Sequence, residues 1–449
     1  MPAIMRWKII VGIGLILGVG FIGYTMITER STLKETVVIF GEDSSNLKAY
    51  SSLKDEFTAK NGIELKFEGA TFEQSIQKAD ADFRNGKGDY DIVLQYNFSL
   101  APYVRNNYVA EISEAFSPTD LKNLRVNEDM FENALRETSF YYSNPQDTNS
   151  APKQFGFPFA ANTMLLVYNK DLFEKADLRQ KFKEHTGKDL TPPTDWNDYL
   201  AIAEFFTKQP DLNGVSMQGA TDGWLYYELA NYLFGMGTGT SDKRYGWEED
   251  KPLTINTPRN AEVLRYVKRL KATSSGDFFT VGASQQQEIM LQGKTAMALM
   301  WSDYVQPLAA TSTNKNLPRF GFAPVPGRVS GLAGGAFYIN RKSRHMHAAS
   351  QFVLFALAPE NQKKLIEKGL CSPLKTAYTD DVIARVPYAR ALRDSLERGV
   401  FMFEAGTDAE IINSALTTYV QKFIRGEISE TEALKKAEQE ILTKRAKNR

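Results

Sequence analysis

Histidine and cysteine are scarce in this sequence, which narrows the covalent and metal chemistry that it can support. The histidines are His185, His345 and His347, and Cys371 is the single cysteine. A serine nucleophile would have few bases to choose from, and one thiol forms neither an internal disulfide nor a thiolate metal cluster. For His345 and His347, beside Arg344, a solvated surface position is the simpler explanation. We therefore predict no catalytic residue and no metal site, although paired carboxylates among 54 acidic residues stay open.

Two glycine-containing segments resemble nucleotide-binding motifs but depart from them at the positions that matter. QGKT at residues 292–295 is like the end of a phosphate-binding loop, but Glu288 occupies the place of the required first glycine. The segment also follows a predicted helix, whereas a phosphate-binding loop follows a strand. GMGTG at residues 235–239 neither follows a clear strand nor opens a helix, as a dinucleotide site requires. No cofactor is therefore predicted.

Aromatic and polar residues directly follow two predicted strands and are suited to hold a small solute. They are Glu42, Asp43 and Ser44 after one strand and Tyr96, Asn97 and Phe98 after another. Open α/β sheets bind ligands at the carboxyl ends of their strands. A sugar presents apolar C–H faces and rings of hydroxyl groups, so its site needs flat aromatic platforms and hydrogen-bonding groups. These six residues are accordingly predicted to bind ligand.

The segments that must position these residues alternate between strands and helices. VVIF at residues 37–40 predicts a buried strand, residues 45–61 a helix, and residues 63–67 a second strand. Residues 71–84 predict another helix, and residues 90–94 a third buried strand. Strands joined through a helix pair in parallel with a right-handed crossover, so the first two of these strands are predicted to be parallel.

Residues 154–173, QFGFPFAANTMLLVYNKDLF, form the segment around which the rest of the chain is arranged. The apolar run from Met164 to Tyr168 predicts a strand buried on both faces. Pro158 cannot donate to a sheet, so it is placed at the entrance of this strand, where the backbone changes direction. A strand entered through an aromatic-Pro-aromatic bend in mid-chain suits a hinge between two lobes.

Several segments resemble the bacterial extracellular solute-binding proteins of the maltose and oligosaccharide type. FPFAANTMLLVYNKDLF is similar to the segment with which that family crosses from its first lobe to its second, and PPTDW at residues 192–196 is similar to the helix start that follows. GDYDIVLQY at 88–96 and GKTAMALMW at 293–301 resemble two further strands of the family. The resemblance implies an α/β, two-lobed periplasmic binding protein-like (type II) fold, with a ligand cleft between lobes joined by a multi-strand hinge.

The same resemblance implies aromatic residues of the site. Trp301 ends GKTAMALMW, where family members stack an aromatic ring on sugar, and a core tryptophan is the alternative. Trp224 and Tyr226 match another ligand-facing segment of the family. All three are predicted to contact ligand.

Polar and glycine positions on the crossing strands complete the predicted site. Asn162 lies on the first crossing strand, where polar groups of the family face the cleft, although it would also serve to cap a turn. Gly334 and Gly335, on the second crossing, would let a ligand approach the backbone closely, and a plain turn is the alternative.

The length of 449 residues exceeds one comfortable hydrophobic core, so more than one domain is expected. The resemblance implies that lobe one holds residues 36–156 plus 334–378 and that lobe two holds residues 157–333 plus 379–449. Formal net charge is zero, from 54 basic and 54 acidic residues. This balance argues against a nucleic-acid partner and against binding to lipid by charge.

The N-terminus predicts export. Residues 9–27 are uncharged and apolar behind Arg6 and Lys8, so residues 1–28 form a signal peptide or a signal-anchor helix, followed by a linker at residues 29–35. The run exceeds the usual signal core, and its only small-x-small cleavage candidate lies inside it, which favours an anchor. Intact-mass measurement of the mature protein would distinguish the two.

The predicted function is capture of a small-molecule ligand, a sugar or oligosaccharide, by lobe closure and its delivery to an ABC permease. The protein would be exported, to the periplasm or the outer face of the cytoplasmic membrane, as a monomer that is not an enzyme. The alternative is a membrane-tethered sensory binding protein that reports its ligand to a kinase or chemoreceptor. Neighbouring permease or kinase genes would discriminate between these two functions.

Overall fold

The structure, a computed structural model, describes residues 35–123, 126–141, 151–221, 223–236, 255–311, 317–327, 329–401 and 409–448. The predicted signal or anchor at residues 1–28 lies outside this range, as does nearly all of the predicted linker. Within the range, no helix is both long and apolar enough to cross a membrane.

The strands alternate with helices along the chain. The strands are β1 (Thr36–Glu42), β2 (Glu64–Ala70), β3 (Ile92–Tyr96), β4 (Phe140–Tyr141), β5 (Lys153–Gln154), β6 (Phe157–Asn169), β7 (Asn213–Ser216), β8 (Thr295–Trp301), β9 (Phe320–Pro324), β10 (Ser330–Ile339) and β11 (Gly399–Phe401).

Most helices are short, and they lie in the connections between strands and at the C-terminal end. They are α1 (Ser45–Ser51), α2 (Lys54–Asn61), α3 (Phe72–Asn85), α4 (Leu100–Arg105), α5 (Ile112–Ala115), α6 (Pro118–Asn123), α7 (Val126–Asp129), α8 (Glu132–Ser139), α9 (Lys170–Glu174), α10 (Ala176–Thr186), α11 (Trp196–Thr207), α12 (Trp224–Met236), α13 (Pro258–Lys271), α14 (Ala283–Leu291), α15 (Gln306–Ala310), α16 (Met346–Ala356), α17 (Pro359–Ile366), α18 (Asp380–Arg385), α19 (Ala389–Leu396), α20 (Ala409–Ile424) and α21 (Glu430–Asn448).

Nine strands form one sheet in the order β2-β1-β3-β10-β6-β8-β7, with β11 beside β10 and β9 beside β6. β1 is parallel to β2, which confirms the prediction for these two strands, and it is also parallel to β3. β10 runs antiparallel to both β3 and β6. We call β1, β2 and β3 the first half-sheet and β7, β8 and β9 the second half-sheet, so that β6 and β10 connect the two.

Strand β6 is longer than the strand predicted at residues 164–168, because its two ends have different partners. Residues up to Thr163 pair with β10, whereas residues from Met164 onward pair with β8 and β9. Pro158 is the second residue of β6 and lies where the register between β6 and β10 shifts, a place where a missing N–H is tolerated. One continuous strand therefore pairs at one end with β10, which also pairs with β3 of the first half-sheet, and at the other end with β8 and β9 of the second half-sheet. The hinge role of this segment stays a prediction.

The observed ends of one strand and one helix differ from the predicted ends. β3 begins at Ile92, and at the preceding residue the N–H of Val38 donates to the Asp91 carboxylate at 2.8 Å, where a regular strand pair would use a backbone carbonyl. The helix predicted over residues 45–61 is two helices. The N–H groups of Ser52 and Leu53 donate to carbonyls only three residues back, at 3.1 and 3.0 Å, and such tightened turns end an α-helix.

Two large clusters of buried hydrophobic side chains hold the half-sheets. One contains Tyr50 and Phe57 with Phe352 on α16, and it joins the first half-sheet to α1, α2 and α16. The other contains Phe206 and Leu416, and it joins the second half-sheet to helices such as α11 and α20. At about 25 cal/mol per Å² of buried apolar area, these clusters are the main source of stability.

Candidate functional site

A cavity of about 490 Å³, including the solvent at its mouth, lies where the two half-sheets meet. Glu42, Tyr96 and Trp301, the last residues of β1, β3 and β8, all reach it. The residues that line it are Glu42, Phe72, Tyr96, Asn97, Phe98, Asn162, Trp224, Tyr227, Trp301, Asp303, Tyr304, Leu332 and Ala333. Carboxyl ends of strands from both half-sheets therefore converge on one site.

Aromatic rings from both halves form a continuous wall around the cavity. On the side of the first half-sheet, the ring centroid of Phe72 on α3 lies 5.5 Å from that of Tyr96. On the side of the second half-sheet, the ring of Tyr227 packs edge-on against two tryptophans. Its centroid lies 5.8 Å from that of Trp224 and 5.7 Å from that of Trp301. Phe72 and Trp224 meet across the cavity at 5.8 Å. The structure is thus a closed arrangement, in which rings of the two sides touch.

Glu42 forms a hydrogen-bonded group with two tyrosines. Its side chain is buried and accepts hydrogen bonds from the hydroxyl of Tyr96 and, at 3.1 Å, from that of Tyr304. Burial raises the pKa of the Glu42 carboxyl, and the two hydroxyl donors partly oppose that effect. Burial also raises the pKa of both tyrosines. Because Tyr304 follows β8, its bond to Glu42 crosses from one side of the cavity to the other.

Asp303 is the second carboxylate of the cavity, and it is 6% exposed. Its Oδ2 accepts from Asn162 Nδ2 at 3.0 Å, and Asn162 Oδ1 in turn accepts from Asn46 at 3.1 Å. Within the described chain, Asp303 Oδ1 has no hydrogen-bond partner. Burial, and secondarily the charge of Glu42, raise the pKa of Asp303 to about 8.

Behind Asn162, buried polar groups tie three distant segments together. The N–H of Cys371 donates to Asn46 Oδ1 at 3.0 Å, and its Sγ lies 3.1 Å from the hydroxyl of Ser302. Ser302 Oγ also accepts the N–H of Thr163, the residue after Asn162, at 3.1 Å. These bonds fix the floor of the cavity where β6, the end of β8 and the segment at Cys371 meet.

The structure brings seven of the twelve predicted site residues to the cavity. They are Glu42, Tyr96, Asn97, Phe98, Asn162, Trp224 and Trp301. Five of the seven end β1, β3 or β8 or lie in the turn directly after β3, in accord with the rule that such sheets bind ligands at strand ends, whereas Asn162 lies in the middle of β6. That these residues bind ligand stays a prediction.

The structure places three predicted site residues away from the cavity. Asp43 is exposed and forms an ion pair with Lys48 at 3.2 Å, and Ser44 is the N-cap residue of α1. Tyr226 is fully buried in the core of the second side. Adjacent helix positions differ by about 100° in direction, so Tyr227 faces the cavity where Tyr226 does not.

The two predicted glycines belong to the sheet. Gly334 and Gly335 lie within β10, opposite Ala161 and Ala160 of β6. A Cβ atom at residue 335 would lie 2.2 Å from the carbonyl oxygen of Gln95, so glycine is required there for strand packing. Neither glycine lines the cavity, which is reached instead by the preceding Ala333.

Six residues of the cavity were not predicted. They are Phe72, Tyr227, Asp303, Tyr304, Leu332 and Ala333. Asp303 and Tyr304 stand two and three residues after Trp301, so the strand-end rule applied to β8 as to β1 and β3 would have found them. No sequence signal distinguishes Leu332 or Ala333 from other strand residues.

The described residues contain no group of three or more histidine, cysteine, aspartate or glutamate side chains placed to hold a metal ion. His345 Nδ1 lies 3.0 Å from Glu35 at the surface. Cys371 is buried, and burial raises the pKa of its thiol well above the usual value, which disfavours a reactive thiolate.

The sequence matches the profile of the bacterial extracellular solute-binding protein family over residues 52–391. One relative is the sn-glycerol-3-phosphate-binding periplasmic protein UgpB of Escherichia coli O1:K1 / APEC. It is 26% identical over 345 residues, which cover 74% of this chain and 72% of that protein.

Solved structures of solute-binding proteins share the fold. An ABC transporter solute-binding protein from Agrobacterium radiobacter K84 in complex with ribitol aligns with a TM-score of 0.74 at 21% identity, over 92% of this chain and 99% of that one. Maltose-bound MalE3 of T. maritima aligns with a TM-score of 0.72 at 16% identity, over 91% and 99% of the two chains. These similarities confirm the prediction of a two-lobed α/β binding-protein fold.

Proposed function

The chain belongs to the bacterial extracellular solute-binding protein family, and from that premise we propose that it captures a sugar, a polyol or an oligosaccharide and delivers it to an ABC permease. The observation that carries the proposal is the cavity at the junction of the half-sheets, where seven aromatic side chains surround Glu42, Asp303 and Asn162. Flat rings match the C–H faces of a sugar, and carboxylate and amide oxygens accept bonds from its hydroxyl groups.

Capture would proceed by closure of the two lobes about β6 and β10. The bond from Tyr304 to Glu42 and the contact of Phe72 with Trp224 both join the two sides. A ligand that replaced these contacts with its own would stabilise the closed form and bury itself within it. The permease would recognise that closed form at the outer face of the cytoplasmic membrane, after export of the protein.

The charge of the cavity argues for a solute other than a phosphate ester. UgpB is named for binding sn-glycerol-3-phosphate. Here Glu42 and Asp303 are the charged residues of the lining, and no lysine, arginine or histidine reaches the cavity from the described parts of the chain. Phosphate recognition normally uses basic side chains or helix N-termini. The helices α3 and α12 begin at the lining residues Phe72 and Trp224, but the lining pairs these N-termini with two acidic side chains and with no basic one.

A thermal-shift screen of the full chain against sugars, polyols and oligosaccharides tests the proposal. A true ligand present at one hundred times its Kd stabilises the folded state by about 2.7 kcal/mol and so raises Tm. The binding member should be recovered unchanged after incubation, as expected for transport and not for hydrolysis. If sn-glycerol-3-phosphate alone raised Tm, the proposed ligand class would be wrong.

A further inference from the structure

The cavity holds two acidic side chains at buried positions. Glu42 is 8% exposed and Asp303 is 6% exposed, and both line the cavity. The other charged groups that act on Glu42 are Glu73 and Asp43, which are acidic as well. The lining contributed by the described chain therefore offers these carboxylates hydroxyl and amide donors but no cation.

Hydrogen bonding to these carboxylates is incomplete. Glu42 accepts from two tyrosine hydroxyls, whereas Asp303 accepts from Asn162 through Oδ2 alone. Its Oδ1 has no partner within the described chain, and neither does the indole N–H of Trp301 in the same lining. Buried polar atoms are nearly always satisfied, so both point to groups that a ligand supplies.

A positive charge satisfies the carboxylates better than a hydroxyl group does. Ionising two carboxyl groups in one buried cavity is costly without a cation, and a hydroxyl donor only partly offsets that cost. An ammonium group supplies both the opposite charge and up to three N–H donors. The requirement of Trp301 differs, because an indole N–H needs an acceptor such as a hydroxyl oxygen.

The aromatic wall favours the same charge. Phe72, Trp224, Tyr227 and Trp301 follow one another with centroids 5.7–5.8 Å apart. The face of an aromatic ring is electronegative and attracts a cation within about 6 Å of its centroid. Carboxylates beside such a wall accept hydrogen bonds from the hydroxyl groups of a neutral sugar, and for an ammonium group they add charge–charge attraction to those bonds.

We propose that the solute bound here is a protonated amine that also carries hydroxyl groups, an amino sugar or amino polyol. Its ammonium group lies between Asp303, Glu42 and the aromatic wall, and a hydroxyl oxygen accepts the Trp301 N–H. This inference rests on the proposed function and specifies the substrate class of the same site.

The test compares matched pairs that differ only by amino groups in place of hydroxyl groups, at a pH below the pKa of those amines. The pairs are glucamine with sorbitol, D-glucosamine with D-glucose, and the β-linked glucosamine dimer with cellobiose. We expect the amine of at least one pair to bind at least tenfold more tightly than its neutral partner, by calorimetry on the full chain. N-acetyl-D-glucosamine, which lacks the charge, should bind no better than D-glucose.

Charge-removing variants locate the ammonium group. Asp303→Asn keeps the shape and the bond from Asn162, and it should weaken amine binding at least tenfold while changing the Kd of the neutral partner less than threefold. Glu42→Gln provides a second variant of the same kind. Asp177→Asn, on α10 and about half exposed, removes the same charge away from the cavity and should leave both affinities unchanged.

The outcomes separate the two proposals. If neutral sugars or polyols bind and their amines bind equally or more weakly, the inference is wrong and the proposed function stands. The inference is also wrong if Asp303→Asn and Glu42→Gln fold as the wild type does, by circular dichroism, and lose no preference for amines. If no amine of any pair binds, the inference is rejected, and the proposed function is rejected only if the whole thermal-shift panel also fails to raise Tm.

Discussion

Trp301 serves the hydrophobic core and the cavity at the same time. It is 5% exposed, belongs to the core of the second side, and packs edge-on against Tyr227 in the cavity wall. Trp196 is equally buried in the same core, but it does not reach the cavity. The two tryptophans therefore match in burial and in the core to which they belong, and they differ in contact with the cavity.

Replacing each tryptophan by alanine separates the two roles. Trp301→Ala and Trp196→Ala should each lower the free energy of unfolding by about 3–5 kcal/mol, because each leaves a large cavity. Trp301→Ala alone should also weaken ligand binding, about tenfold to a hundredfold in Kd. Denaturant titration and calorimetry on both variants measure these effects. Unchanged affinity in folded Trp301→Ala would assign this tryptophan to the core alone.

The buried acids make stability depend on pH. Burial raises the pKa of Asp303 to about 8, above its unfolded value of about 3.9, so the folded state holds a proton that the unfolded state has lost. Stability should therefore fall as pH rises from about 4 to about 8. Glu42, and Glu228 with its pKa raised to about 7, act in the same direction.

Asp303→Asn removes one of these ionisations. The variant should equal the wild type in free energy of unfolding near pH 4 and exceed it by about 1–4 kcal/mol near pH 8, because a buried charge is no longer formed. Urea titrations at both pH values measure the difference, with Asp177→Asn as the surface control. A variant less stable than the wild type at pH 8 would show that the carboxylate stabilises the fold.

At the scale of elements, β10 depends on close packing of its neighbours at Gly335. A Cβ atom there would lie 2.2 Å from the Gln95 carbonyl oxygen of β3 and 2.5 Å from the ring of Phe159 on β6. Backbone atoms cannot move aside as a flexible side chain does. Both strands that connect the half-sheets thus depend on this glycine.

Gly335→Ala should lower the free energy of unfolding by about 3 kcal/mol through overpacking. Gly62→Ala is the matched control, because Gly62 has a φ of 71° and a methyl group added there would meet no atom within 4 Å beyond its chain neighbours. That control should cost only about 1 kcal/mol of backbone strain. Denaturant unfolding of both variants makes the comparison. Equal losses would show that β3 and β6 move apart easily at this point.

At the scale of the whole molecule, the two sides are held closed by direct contacts across the cavity. If β6 and β10 act as a hinge, ligand-free protein in solution opens when these contacts break. The radius of gyration from small-angle scattering should then fall when the solute identified by the panel is added at saturation. A non-binding sugar should leave it unchanged. An unchanged radius with the true ligand would mean that the lobes are rigid.

The sequence by itself determined the strands and the edge of the sheet where the cavity lies. The segment GKTAMALMW at residues 293–301 contains the observed β8, Thr295–Trp301, because an apolar run between turn residues is a local property of the chain. The strand-end rule then placed Glu42, Tyr96 and Asn97 at the cavity, since it needs only the order of strands and loops.

Only the tertiary structure decided which neighbours share the cavity and which charges face each other. Tyr227 reaches it and Tyr226 does not, because the packing of α12 on the core sets which face is buried. Tyr304 and Glu42 are 262 positions apart in the sequence, yet their side chains form a hydrogen bond. They come together because β10 pairs with the first half-sheet, β6 pairs with the second, and β6 and β10 pair with each other. Contacts of this kind are set by how the half-sheets pack together, and no local pattern in the sequence carries that information.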